Sequence, residues 1–154
     1  MRSLLVVAVL GRIATADPFA SATLTDHAGV HVLRFGVGVQ LDRIALRLVV
    51  DPFVVLDAQH SLDALVEIGL GRGIAAHAGW RDTAVAIDHG VRMYDSAVIG
   101  ASAPVARGGV DLRAGIEVAT LLVAHGAALP ARWGAFGAVD TYAVGLFVEA
   151  RRAF

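Results

Sequence analysis

The densest set of reactive side chains in this sequence is Asp57, His60, Ser61 and Asp63. A serine becomes a nucleophile when a histidine lies within hydrogen-bond reach and a third group orients that histidine. On an extended strand, however, adjacent residues such as His60 and Ser61 face opposite sides. The cluster therefore reads as polar residues of a loop flanked by strands, and no catalytic residue is assigned. His27 and His31, with Asp26 beside them, are the nearest approach to a metal set. On a strand, residues four apart are ~13 Å from one another, too far to share an ion. Neither metal nor cofactor is expected. The run Gly69-Leu70-Gly71-Arg72-Gly73 looks like a fragment of a phosphate-binding loop. With no lysine and no following helix it reads instead as strand glycines and a turn.

The remaining ionisable residues form a pattern rather than a cluster. Arg34, Arg47, Glu67, Arg81, Asp88, Arg92, Asp111, Arg113, Glu117, Glu149 and Arg151 all fall on one side of a period-two alternation. In 30–41 the odd positions are His31, Leu33, Phe35, Val37, Val39 and Leu41, while the even side turns small or polar past Val32. The same alternation continues with Ile44, Leu46, Leu48 and Val50, then with Ala64, Val66, Ile68 and Leu70. Further on it is carried by Leu112, Ala114, Ile116 and Val118, and finally by Val144, Leu146 and Val148. This is the period of a β-strand and not of a helix.

The pattern predicts clear strands near 30–41, 43–51, 62–71, 73–81, 84–94, 109–123 and 141–153. Weaker ones fall near 19–26, 97–106 and 131–139, and Pro104 marks the second of these as irregular. The breaks fall at Asp42-Arg43, Arg72-Gly73, Asp82-Thr83, Asp95-Ser96 and Gly108-Gly109, spaced for antiparallel hairpins.

Composition narrows the setting. The chain has 154 residues, 56% of them apolar and 18% charged, and its net charge of −1 speaks against a nucleic-acid partner. It has no cysteine, which excludes disulfides and thiolate chemistry. Past residue 17 the longest charge-free run, Val118 to Ala131, is interrupted by His125, Gly126 and Pro130. A membrane-spanning helix needs ~20 apolar residues, so this run is too short. Two designs remain for such an apolar all-β chain: a barrel with a lipid-facing exterior, or a soluble barrel with a large core. At the start, Arg2, the apolar run Leu4 to Leu10 and Ala14-Thr15-Ala16 follow the order of a secretory signal over 1–16. Residues 17–154 then form a single domain.

Long arginines interspersed with glycine and alanine suit a narrow interior in which each cation meets a carboxylate. Trp80, Tyr94, Trp133 and Tyr142 lie beside expected strand ends, where aromatic girdles mark membrane interfaces. From about Val30 to Phe154 the chain resembles the small outer-membrane β-barrel proteins of the OmpA/OmpX type. The resemblance rests on the signal-like start, the alternating strands, the tight turns and the final Phe154. It implies an antiparallel up-and-down transmembrane barrel, with eight strands preferred over ten, in the outer membrane of a Gram-negative bacterium. It also implies a monomer among outer-membrane lipids, recognised by the barrel-assembly machinery through Phe154. Arg152 departs from the pattern, since that position is usually apolar or aromatic in the family. Outer-membrane lipid hydrolases share this size, but their His-x-Ser strand pattern is absent here.

The expected role is structural, adhesive or membrane-maintaining, with a plugged polar lumen in a porin-like frame. Within that lumen Arg47, Arg113, Glu117 and Glu67 are expected to join one ion-pair network. A soluble lipocalin-like barrel that binds an apolar ligand is the alternative, and an outer-membrane lipid hydrolase is a further one.

Overall fold

The computed structural model describes residues 16–27, 30–51, 59–87, 90–125, 132–133, 138–139 and 142–154. The expected signal segment lies outside them, apart from Ala16. Ten strands follow in chain order: β1 (Asp17–His27), β2 (Val30–Leu41), β3 (Ile44–Val50), β4 (Gln59–Gly71), β5 (Ile74–Ile87), β6 (Gly90–Ala106), β7 (Asp111–His125), β8 (Arg132–Trp133), β9 (Ala138–Val139) and β10 (Tyr142–Ala153). Eight of them close into a barrel in the order β1-β10-β7-β6-β5-β4-β3-β2, and every neighbouring pair is antiparallel. The pair β8–β9 is a separate two-stranded sheet between β7 and β10. The eight-strand expectation therefore describes the barrel, and of 131–139 the described pieces Arg132–Trp133 and Ala138–Val139 pair with each other outside the wall.

Closure depends on β1, which the sequence marks only weakly. Its register runs from Phe19 opposite Ala153 to Asp26 opposite Leu146, and on its other edge it pairs along β2. The Phe154 amide adds a bond to the Pro18 carbonyl at 3.1 Å, which secures the end of the seam. Every wall strand is paired with a neighbour on both sides, so the barrel has no edge strand.

One end of the barrel has short connections. Asp42-Arg43 joins β2 to β3, Arg72-Gly73 joins β4 to β5, and 107–110 joins β6 to β7. Gly71, Arg72 and Gly73 carry φ values of 97°, 55° and 82°. Glycine adopts these without cost, while Arg72 accepts a left-handed conformation to make the turn.

Two expected breaks are not turns. β5 runs through Asp82-Thr83, and β6 runs through Asp95-Ser96 with only a register shift there. The stretch 97–106 is the second half of β6, and Pro104 sits at its other register shift. The physical reason lies in the direction the polar side chains face. Thr83 and Ser96 are almost fully buried inside the barrel, at 1% and 0% exposure. In a water-soluble sheet a polar pair in a strand marks a turn. In a barrel with a polar interior it marks the inner face.

The outer face is apolar throughout its middle. Phe35, Val37, Leu46, Leu48, Val66, Ile68, Ile99, Ile116, Leu146 and Val148 are all exposed, and Leu46 keeps 47% of its surface. Buried positions alternate with them in β3 and β4. This inverts the arrangement of a soluble barrel and suits surroundings of hydrocarbon. Of the expected girdle aromatics, Trp80 faces outward at 39% exposure, in mid-β5 rather than at a strand end. Tyr94 is a correction, since it points inward at 5% exposure and joins the interior packing. The side chains of Trp133 and Tyr142 lie outside the described residues.

Candidate functional site: the charged lumen

Among the described residues the interior holds two sets of ion pairs, each built on two arginines and two carboxylates. In the mid-barrel group, Arg81 Nε donates to Asp63 Oδ1 and its Nη2 to Asp63 Oδ2, both at 2.7 Å. Register places these two residues directly opposite on β4 and β5. Arg81 Nη2 also reaches Glu117 Oε1 at 2.9 Å. Arg34 Nη1 lies 3.2 Å from Asp63 Oδ2 and 3.4 Å from Glu117 Oε1. All four side chains are at least nine-tenths buried.

The second group lies nearer the short turns. Arg151 clamps Glu67 with two parallel bonds of 2.9 and 2.8 Å across the barrel from β10 to β4. Arg151 also donates to Glu149 at 3.2 Å. Arg47 Nη1 donates to Glu67 at 3.3 Å, and its Nη2 lies 3.1 Å from Glu149. The Arg151 guanidinium carbon stands 4.4 Å from the centre of the Phe19 ring. A vestibule of about 440 Å³ opens below this group, with Asp17, Asp42, Arg43, Asp111 and Arg113 on its wall.

Apolar packing occupies the space between and above the charges. Val49, Leu65, Tyr94, Val98, Ala119 and Ala143 form one cluster, with Leu121 packed against it. Large inward side chains lie across inward glycines on the neighbouring strand. Phe19 faces Gly38, Phe147 faces Gly115 and His77 faces Gly100, each as a register partner. A Cβ at Gly38 would come within 2.5 Å of the Phe19 ring, so glycine is needed there.

The expected lumen residues separate as follows. Arg34, Arg81 and Glu117 meet in one group, and Arg47, Glu67, Glu149 and Arg151 meet in the other. The expectation of one network through Arg47, Arg113, Glu117 and Glu67 needs correction, because Glu117 and Glu67 belong to different groups. Arg113 does face the vestibule, but it donates to the Gly73 carbonyl at 2.9 Å and to Ser102 Oγ at 3.0 Å. It secures the β4–β5 turn rather than a carboxylate. Asp111 also lines the vestibule, exposed at its rim beside the β6–β7 turn. Asp88 lies outside the described residues, and so does the side chain of Arg92.

Sequence reasoning placed Asp63 among the hydrolase-type residues. Its carboxylate is instead taken up by Arg81 and Arg34. The available clue was parity, since Asp63, Leu65 and Glu67 share one side of β4. Ser61 is buried on that same side. Asp57 lies outside the described residues, and so does the His60 side chain. Among the described residues no group of three or more His, Asp or Glu is arranged to hold a metal ion.

The N-terminal β-barrel domain of Pseudomonas aeruginosa OprF superposes with a TM-score of 0.54 at 19% identity, over 88% of this chain and 96% of that one. The chain has the fold of a small outer-membrane β-barrel. Neisserial surface protein A also matches, with a TM-score of 0.43 at 12% identity over 90% of this chain and 96% of the other. No family model and no curated protein sequence matches the chain.

Proposed function

We propose that this protein is a monomeric barrel of the outer membrane of a Gram-negative bacterium. Its role is structural, adhesive or membrane-maintaining, and it anchors in lipid. The observation that carries the reading is the inversion of its two faces. Two sets of ion pairs lie in the interior while Leu, Ile and Val cover the middle of the exterior. An eight-stranded barrel is just wide enough for its interior to be filled by side chains, so the lumen is closed to solutes. The protein is not an enzyme in this reading, and Asp63 serves as a lumen ion-pair partner.

A soluble barrel with an apolar ligand site would need its apolar face inside. An apolar hollow of about 530 Å³ lies instead on the outer wall between Val37, Leu46, Leu48 and Val66. Phe154, exposed at 77%, is accessible for recognition by assembly machinery.

Reconstitution into liposomes tests the proposal. The folded protein should require detergent or lipid to remain in solution, show a β-type circular dichroism spectrum, and leave the vesicles impermeable to small sugars. Solubility without detergent would overturn the membrane placement. Rapid sugar flux would overturn the closed lumen.

A further inference from the structure

Between the two ion-pair groups lies a gap of about 20 Å³. Thr23, Arg34, Arg47, His77, Glu117 and Phe147 are among the residues that line it. Among the polar atoms of this lining, Thr23 Oγ1, Arg47 Nε and His77 Nε2 are buried without a protein hydrogen-bond partner. The residues that carry them are themselves at least nine-tenths buried. We propose that this gap is a binding site for one water molecule, held by Arg47 of the turn-end group together with His77 and Thr23.

The chemistry of the lining selects the occupant. Arg47 Nε–H can only donate, so the occupant must accept a hydrogen bond. That requirement excludes a metal cation. Asp63 and Glu117 also line the gap, and their carboxylates oppose an anion. Water meets both conditions: it accepts from Arg47 and donates to His77 Nε2, while Thr23 Oγ1 takes either role. The size agrees, because a cavity needs ~10–15 Å³ on this measure, with two to four polar partners, to hold one water.

The position of the imidazole is also set. His77 lies over Gly100, where a Cβ would come within 2.5 Å of Nε2, and its ring tilts against Phe147 at 5.8 Å between centres. The site needs only the lumen geometry, so it holds whether or not the membrane reading does. Sugar flux and hydration of Arg47 are separate readouts, so a failure of either proposal can be told from a failure of the other.

The test uses the full barrel folded in micelles, with 15N-labelled arginine. The Arg47 Nε–H proton should show cross-relaxation with a long-lived water molecule. A crystal structure fine enough to resolve solvent should show one water in the gap, within ~3.2 Å of Arg47 Nε and His77 Nε2. His77→Phe, which has no acceptor, should abolish the water contact while the Arg47 resonance persists. Thr23→Val keeps the side-chain shape, and serves if His77→Phe does not fold. It should weaken the same contact. A gap without solvent density, an Arg47 proton with no water contact, or a contact unchanged in Thr23→Val would each overturn the site.

Discussion

The mid-barrel and turn-end groups have the same composition, two arginines and two carboxylates, but different surroundings. Arg81 and Asp63 are 1% and 2% exposed at the side chain and packed beside an apolar cluster. Arg151 is 12% exposed and forms part of the wall of a vestibule that opens at the short-turn end. A carboxylate that loses its partner in the first place has no bulk solvent beside it. In the second, solvent lies one side chain away. Ion pairs of the same make-up therefore carry different structural weight according to depth.

The strongest test of that difference is Arg81→Leu. It leaves Asp63 and Glu117 buried without their main partner, and removing one side of a buried pair costs ~3–5 kcal/mol. The loss should appear as a shift in reversible urea unfolding in detergent. A loss below that of Arg151→Leu would reverse the ranking of the two groups.

The outer wall gives a third environment. Leu46→Arg places a charge in the apolar band and should cost ~2–4 kcal/mol at mid-depth, less toward either interface. Refolding into lipid vesicles measures it. Arg151→Leu comes next, at ~1.5–3 kcal/mol for hydrogen bonds to charged groups, reduced by water in the vestibule. Raising the salt toward ~1 M, where screening acts over ~3 Å, should shrink the Arg151 effect and leave the Arg81 effect nearly unchanged. Equal salt sensitivity in the two variants would mean that depth does not separate them.

The smallest effect should be Leu46→Ala. Lipid tails fill the space a lipid-facing leucine vacates, whereas the same change in a packed core costs ~2–5 kcal/mol. A loss in that range would place Leu46 in a core and not against lipid.

The fold was legible because the alternation is regular. Leu46, Leu48, Val66 and Ile68 mark the outer face, and Arg47, Glu67 and Glu117 mark the inner one. Strand ends were less legible where polar residues face the lumen. Thr83 and Ser96 look like turn residues until the interior is known to be polar. Partner choice was not legible at all. Arg34 meets Glu117 across 83 positions of sequence, and Arg47 meets Glu149 across 102. Those meetings depend on barrel register and strand tilt, neither of which leaves a mark on a single strand. Asp63 was readable by parity, but the adjacent His60 and Ser61 suggested a different chemistry.

The glycines beneath the aromatic rings bear on the order of assembly. Phe19, on the first strand, rests on Gly38 of β2, and Phe147, on the last, rests on Gly115 of β7. Each terminal strand is thus latched to the neighbour on its far side by a ring on a glycine, while across the β1–β10 seam the Phe19 ring meets the guanidinium of Arg151. The two edges can be fastened independently before they find one another, which makes β1–β10 pairing the expected final step of insertion. Cysteines introduced at the facing pair Ala22 and Ala150 should therefore cross-link later in refolding than a pair placed at Ala20 and Val37.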